Sequence, residues 1–291
     1  MTREFIDFVN AHKDEDTARL LLSAARYPGI DIPLAVQQIE GLHTARDKWP
    51  SLTQCDGFLY PPRLNREQAS SETTAAYKVR VADSLCDGDT PLAVADLTGG
   101  MGVDSIAFAR RTGTSDTLHR QALTQVDYVE RSAELCALME HNGKTLGLTN
   151  ISVHHADSME WLASSERHYD IIYIDPARRA ASGRKMAAFE DCEPNILEHM
   201  ELLRSRCRWL MVKASPMIDI DQACRRLGTV AEVHVRRGRE RDGDSLWRPQ
   251  LHSPRGDLRH GVLLHRRGTL PLRTRCGTHE SRTLPQHLPL V

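Results

Sequence analysis

"LAVADLTGGMGVDSIAFARR" (92–111) runs from an apolar stretch through an acid into a glycine-rich turn, and out along a helical pattern. Residues 92–97 suit a buried strand, and Asp96 stands near its end. Gly99, Gly100 and Gly102 let the backbone pass close to a ligand, because a Cβ would block that approach or the positive φ of the turn. From Val103 onward, apolar residues recur at three- and four-residue steps. Strand, tight turn and helix together make the opening unit of an open α/β sheet.

The rest of the chain is organised around that unit. Strand-like runs stand at 124–130, 151–155, 169–175, 208–214 and 230–235. Helical patterns separate them at 132–146, 158–164, 193–205 and 219–227. Such alternation implies βαβ units and a doubly wound parallel sheet, whose ligands sit at the carboxyl ends of the strands. Residues 1–85 read as a helical N-terminal region, with Asp16 or Thr17, Asp31, and Ser70 or Ser71 as helix starts. Residues 86–235 read as the sheet domain. Residues 236–291 read as a basic, poorly patterned tail, either disordered or out of its natural frame, in which only "GVLLH" looks strand-like. A polar run, 112–120, reads as an enlarged loop.

Composition narrows the classes. Of 291 residues, 40% are hydrophobic and 26% charged, as in ordinary globular proteins. No apolar run is long enough to span a bilayer, and the acidic, amphipathic start is unlike a signal peptide. Seven scattered cysteines without a CxxC pair point to reduced thiols and a cytoplasmic location, not to a disulfide framework or a zinc site. The formal net charge is −1, but the last 56 residues hold twelve arginines, no lysine and five acids, so the body before them is acidic. Nucleic-acid binding then requires a local basic patch.

Three acids follow three successive strands: Asp96 beside the glycines, Glu130 in "VDYVERS", and Asp157 in "HADSMEWL", with Ser158 alongside. Each alone could be a helix cap or a solvated loop residue, but together they favour one shared ligand. The fourth strand delivers "YDIIYIDPARR" (169–179), which puts Asp175 at the sheet edge, Pro176 in the turn, and Arg178 and Arg179 next in the chain. Arg184 and Lys185 complete a run of four positive charges. They could pair with Glu190, Asp191 and Glu193, or capture phosphate or carboxylate groups. The fifth strand ends in "VKASPM", with Lys213 at the same rim. His154 and His155 lack further ligands at metal spacing and read as structural, so no metal is expected.

"DLTGGMG" resembles the first motif of class I S-adenosylmethionine (SAM) methyltransferases. A dinucleotide fingerprint fits less well, since Ser105 stands where its third small residue belongs. With "SSETTAAYK" (70–78), "YIDPARR" and "VKASPM", the chain resembles a group of uncharacterised bacterial class I methyltransferases that often carry a THUMP-like RNA-binding region at the C-terminus. The resemblance covers about residues 60–235 and implies a Rossmann-like methyltransferase fold. It implies that Asp96, Thr98, Gly99, Gly100 and Gly102 cradle SAM. Glu130 would take its ribose hydroxyls, and Asp157 with Ser158 its adenine. Asp175 and Pro176 would form the catalytic loop and orient an acceptor nitrogen or oxygen, with Arg178, Arg179 and Lys213 toward the substrate. Ser71, Glu72, Tyr77 and Lys78 would cover the cleft. Such loops commonly read Asp/Asn-Pro-Pro-aromatic; here Ala177 replaces the second proline and Arg178 the base-stacking aromatic. No THUMP-like region is evident. The expected substrate is RNA. An anionic small molecule, a protein side chain, and a non-catalytic RNA- or nucleotide-binding role stand as alternatives, with a Rossmann oxidoreductase behind them.

Overall fold

The computed structural model describes residues 2–86, 90–111, 124–178, 189–215, 218–236, 245–247 and 261–267. Five helices come first: α1 (Arg3–His12), α2 (Thr17–Leu22), α3 (Ile32–Lys48), α4 (Arg63–Gln68) and α5 (Glu72–Leu85). Asp16, Asp31 and Ser71 cap α2, α3 and α5, each side-chain oxygen accepting from first-turn N–H groups.

The alternating part follows as β1 (Ala93–Asp96), α6 (Val103–Ala109), β2 (Gln125–Glu130), α7 (Ala133–Thr145), β3 (Ile151–His155), α8 (Ser158–Ser164) and β4 (Tyr169–Ile174). Two short strands come next, β5 (Ala177–Arg178) and β6 (Cys192–Glu193), then α9 (Met200–Arg206), β7 (Cys207–Ala214), α10 (Ile220–Leu227) and β8 (Glu232–Arg236). The described part of the remainder holds β9 (Ser245–Trp247) and β10 (Gly261–Arg267).

Among the described residues the main sheet has the order β3-β2-β1-β4-β7-β10-β8-β9, parallel throughout except for the β8–β9 pair. Strand order reverses between β1 and β4, which makes that junction the switch point where an open sheet of this kind leaves a crevice. The period-2 alternation of the strands sorts the core into two layers. Val94, Val126, Ile171, Tyr173 and Met211 face Tyr77, Val81 and Ala82 of α5 and Phe108 of α6. Ala95, Val129, Ile172, Ile174 and Val212 face Leu162, Leu203, Ala223 and Leu227 of α8, α9 and α10. The N-terminal region is packed into the same body: Ala45 of α3, Ala75 of α5, and Trp49, Phe58 and Tyr60 between α3 and α4 cluster with Met101, Val103, Ile106 and Tyr128.

Two sequence expectations change. The helix expected over 193–205 begins only at Met200. Glu193 instead pairs with Ala177 in the antiparallel β5–β6 ladder, and Asn195 folds its Oδ1 back onto the Leu197 N–H (3.2 Å), a local bond that competes with helix. The sheet also extends past the boundary read at 235. β10 lies between β7 and β8, so "GVLLH" belongs to the main sheet even though most of 236–291, like the 112–120 loop, falls outside the described residues. No described helix is long and apolar enough to cross a membrane.

Candidate active site

The glycine turn is built by what surrounds it. Gly102 has φ +82° and an added Cβ would lie 2.4 Å from Met139 Sδ; at Gly99 it would lie 2.3 Å from the Tyr128 ring. Larger residues would have to displace the strand-β2 and helix-α7 side chains that support the turn. The Tyr128 hydroxyl donates to the Gly100 carbonyl (2.7 Å), and the Gly99 N–H donates to the Val129 carbonyl (3.0 Å). The turn is thereby pinned to β2.

Over it opens a cavity of about 670 Å³ at the carboxyl ends of β1 to β4. Thr98, Gly99, Gly100, Gly102, Glu130, Asp157, Ser158 and Asp175 all line it, so the structure brings together most of the site residues expected from sequence. The Glu130 carboxylate accepts from the Gly100 N–H through Oε2 (3.0 Å) and from the Ser132 N–H through Oε1 (2.9 Å). A carboxylate offers about four acceptor positions, so each oxygen keeps capacity for a ligand hydroxyl. Asp157 caps α8, its Oδ1 accepting from the Met159 and Glu160 N–H groups (2.9 and 3.1 Å). It holds that structural role and a place on the cavity wall at once. Across the switch point, the Asp175 N–H donates to Thr98 Oγ1 (2.7 Å), tying the end of β4 to the glycine turn.

Other expected residues stand elsewhere. Asp96 is buried away from the cavity: Ser105 Oγ donates to its Oδ2 (2.7 Å) and the Thr98 N–H to its Oδ1 (3.2 Å). Burial, then the neighbouring Asp104 charge, pushes its carboxyl up to about 7, against the pull of those hydrogen bonds. Asp96 shapes the turn from below and does not reach the cavity. Lys213 does not line the cavity either; its ammonium pairs with Asp175 Oδ2. Pro176 lies between Asp175 and β5. Only the backbone of Arg178 is described, and Arg179, Arg184 and Lys185 lie outside the described residues. Of the acids expected to pair with them, Glu190 meets Arg226 (3.2 Å) and Glu193 meets Arg131. His154 Nε2 donates to Asp127 Oδ1 (2.9 Å) and His155 Nε2 to the Arg131 carbonyl (3.0 Å).

In "SSETTAAYK", Ser71 caps α5, Glu72 accepts from the Ser51 N–H (3.0 Å), and the Tyr77 hydroxyl meets His234 Nδ1. Those three do not line the cavity, but Ser70 does. Lys78 is buried beneath it, donating to Ser70 Oγ (2.9 Å), Asp104 Oδ1 (2.7 Å) and the Tyr173 hydroxyl. Asp104 also accepts from Ser70 (2.9 Å) and Tyr173 (3.1 Å) through Oδ2. Burial pushes Asp104 up, but the Lys78 charge and its hydrogen bonds outweigh that and hold the carboxyl below its ordinary range. Sequence reading missed Ser70 and Asp104 as cavity residues, and likewise Arg131, Glu193 and Asn195 on the rim. Asp104 sits in the first turn of α6, directly after the glycines, where it was legible; Glu193 reaches the rim through lateral pairing of two-residue strands, which leaves no periodic signal.

Strand order, switch point and glycine-lined cavity define a Rossmann-like class I methyltransferase fold. Among solved structures, the chain is similar to a protein from Porphyromonas gingivalis W83 assigned as a methyltransferase, with 27% identity and a TM-score of 0.64 over 81% of this chain and 54% of that one. This chain thus spans about half the length of that relative. More partial overlaps are with a SAM-dependent methyltransferase from Agrobacterium tumefaciens (23% identity, TM-score 0.33, 45% of this chain and 40% of that one) and an rRNA methylase from Streptococcus thermophilus (15%, 0.31, 44% and 63%). The fold comparison rests on the first. No family profile and no curated protein sequence matches the chain.

Proposed function

We propose that the protein is a SAM-dependent methyltransferase that acts on RNA by direct transfer to a nitrogen or oxygen. The observation that carries this reading is the bond from the Asp175 N–H to Thr98 Oγ1 across the switch point (2.7 Å), which keeps the residue that follows β4, and with it a carboxylate, at the wall of the glycine-lined cavity. The cavity's volume suits a nucleoside-sized ligand. Its wall of backbone at Gly99, Gly100 and Gly102, with Glu130 and Asp157 beyond, fits SAM by shape and donor set.

Bound SAM supplies an electrophilic methyl on a sulfonium. Glu130 would take the ribose hydroxyls on its remaining acceptor positions, and Asp157 with Ser158 would take the adenine edge. Asp175 would orient the acceptor: with Lys213 on Oδ2, Oδ1 would accept a hydrogen bond from the acceptor N–H or O–H and so hold its lone pair toward the site of transfer. No cysteine is placed for attack on a pyrimidine carbon, since the cavity lining contains none among the described residues. RNA is favoured by the basic run Arg178, Arg179, Arg184 and Lys185, which follows Asp175 in the chain and is of a composition that suits phosphates. The described lining carries eight carboxylates against Arg131 and His199, which suits a cationic cofactor and disfavours a small anionic acceptor.

Two measurements test this. Titration calorimetry with SAM should show binding that Glu130→Ala weakens; a wild-type protein that binds no SAM defeats the enzyme reading. Incubation with labelled SAM and total RNA should transfer label, and Asp175→Asn should reduce transfer about a hundredfold. Transfer to protein but not RNA would move the substrate to a protein side chain.

A further inference from the structure

We propose that Lys78 is a positioning residue of this site, and that helix α5 is through it part of the catalytic apparatus. The inference rests on the methyltransferase reading of the same cavity. Lys78 is 1% exposed and touches three separate parts of the cavity's frame. Asp104 belongs to α6, the helix that the glycine turn opens into. Tyr173 belongs to β4, two residues before Asp175 and on the same face of the strand. Ser70 precedes α5 and lines the cavity.

One buried ammonium therefore joins the element carrying the cofactor turn to the element carrying the acceptor-orienting carboxylate. Above it, the Thr98–Asp175 bond makes the same connection at the cavity wall. The upper link positions the Asp175 backbone, and the lower one fixes the spacing of the elements that it joins. Met and Leu residues could fill the volume of Lys78, but they could not supply three directed donors at this point. Lys213, on β7, completes the arrangement by holding the Asp175 side chain from the other side. A displacement of the order of 1 Å between turn and carboxylate is enough to slow an aligned transfer about a hundredfold.

The test separates positioning from mere folding. Lys78→Met alone leaves the Asp104 carboxylate buried without its cation and lowers thermal stability. The double variant Lys78→Met, Asp104→Asn removes both charges and should regain most of it. Positioning predicts that this double variant binds SAM within about threefold of wild type, yet transfers label to total RNA about a hundredfold more slowly. In the ligand-free proteins, hydrogen exchange in the peptide holding the Asp175 amide should also be faster in the double variant. Tyr173→Phe, which keeps the ring and removes one link, should lower kcat about tenfold with SAM affinity unchanged; it serves if the double variant does not fold. Recovery of kcat and exchange rate together with stability, or a Tyr173→Phe enzyme equal to wild type, overturns the proposal. A wild-type chain that binds SAM but matches these overturning results leaves the functional reading standing; one that binds no SAM overturns both.

Discussion

The carboxylates in the floor of the cavity, beneath the glycine turn, and those on its rim are the same chemical group with different tasks. Asp96 and Asp104 form the floor, at 1% and 9% exposure. Both oxygens of each have partners within the protein: Ser105 and Thr98 for Asp96, Lys78, Ser70 and Tyr173 for Asp104. Glu130, Asp157 and Asp175 form the rim, each half-buried or more open, each anchored by the protein yet retaining acceptor positions toward the cavity. Burial and the number of internal donors, not residue type, divide structural acids from candidate ligand-binding ones.

The largest test of that division is the floor's charge balance. Lys78→Met should lower unfolding free energy by about 3–5 kcal/mol in a urea melt, because it strands a buried carboxylate. A loss under about 1 kcal/mol would mean that water reaches Asp104, and the floor would cease to differ from the rim.

Asp96 sharpens the comparison through pH. Its folded carboxyl is raised to about 7 from 3.8, so the unfolded chain releases this proton first as pH rises. The group's contribution to stability is therefore full below about pH 4, declines through pH 7 and is level above it. Asp96→Asn lacks that titration, and its stability advantage over wild type should grow by roughly 3 kcal/mol between pH 5 and pH 8. An advantage that does not change with pH would show Asp96 ionised in the folded protein.

On the rim the effect should fall on binding instead. Glu130→Gln should weaken SAM binding roughly ten- to hundredfold, as expected for a hydrogen bond to a charged group, with unfolding free energy changed by less than about 1 kcal/mol. Equal loss of stability and affinity would move Glu130 to the floor class. Asp157 belongs to both classes, and its variants split them. Asp157→Ala should cost about 1 kcal/mol through the lost cap of α8, while Asp157→Ser should keep the cap and lose only cofactor affinity. Matching stability for the two variants would remove the capping role.

Much of this site was legible because its residues follow strands closely. "DLTGGMG", Glu130 and Asp157 could be placed from local pattern, since a parallel sheet delivers the ends of successive strands to one edge. Asp175 was placed the same way. The role of Asp96 was not, since neighbouring glycine and serine residues do not reveal whether an acid turns into the cavity or under it. Lys78 read as a cover and is a foundation, because its three partners lie 8, 26 and 95 residues away in the chain. Lys213 read as a substrate contact and is the Asp175 partner, because β4 and β7 are adjacent only once the sheet forms.

By itself, then, the amino-acid sequence determined the α/β alternation, the glycine turn and the row of acids at strand ends, all of which depend on spacing within about thirty residues. Only the tertiary structure decided which acids are buried and which remain available, where β10 enters the sheet, and which lysine serves which carboxylate. Those outcomes depend on desolvation and on donors brought from distant segments, and neither exists until the chain has packed.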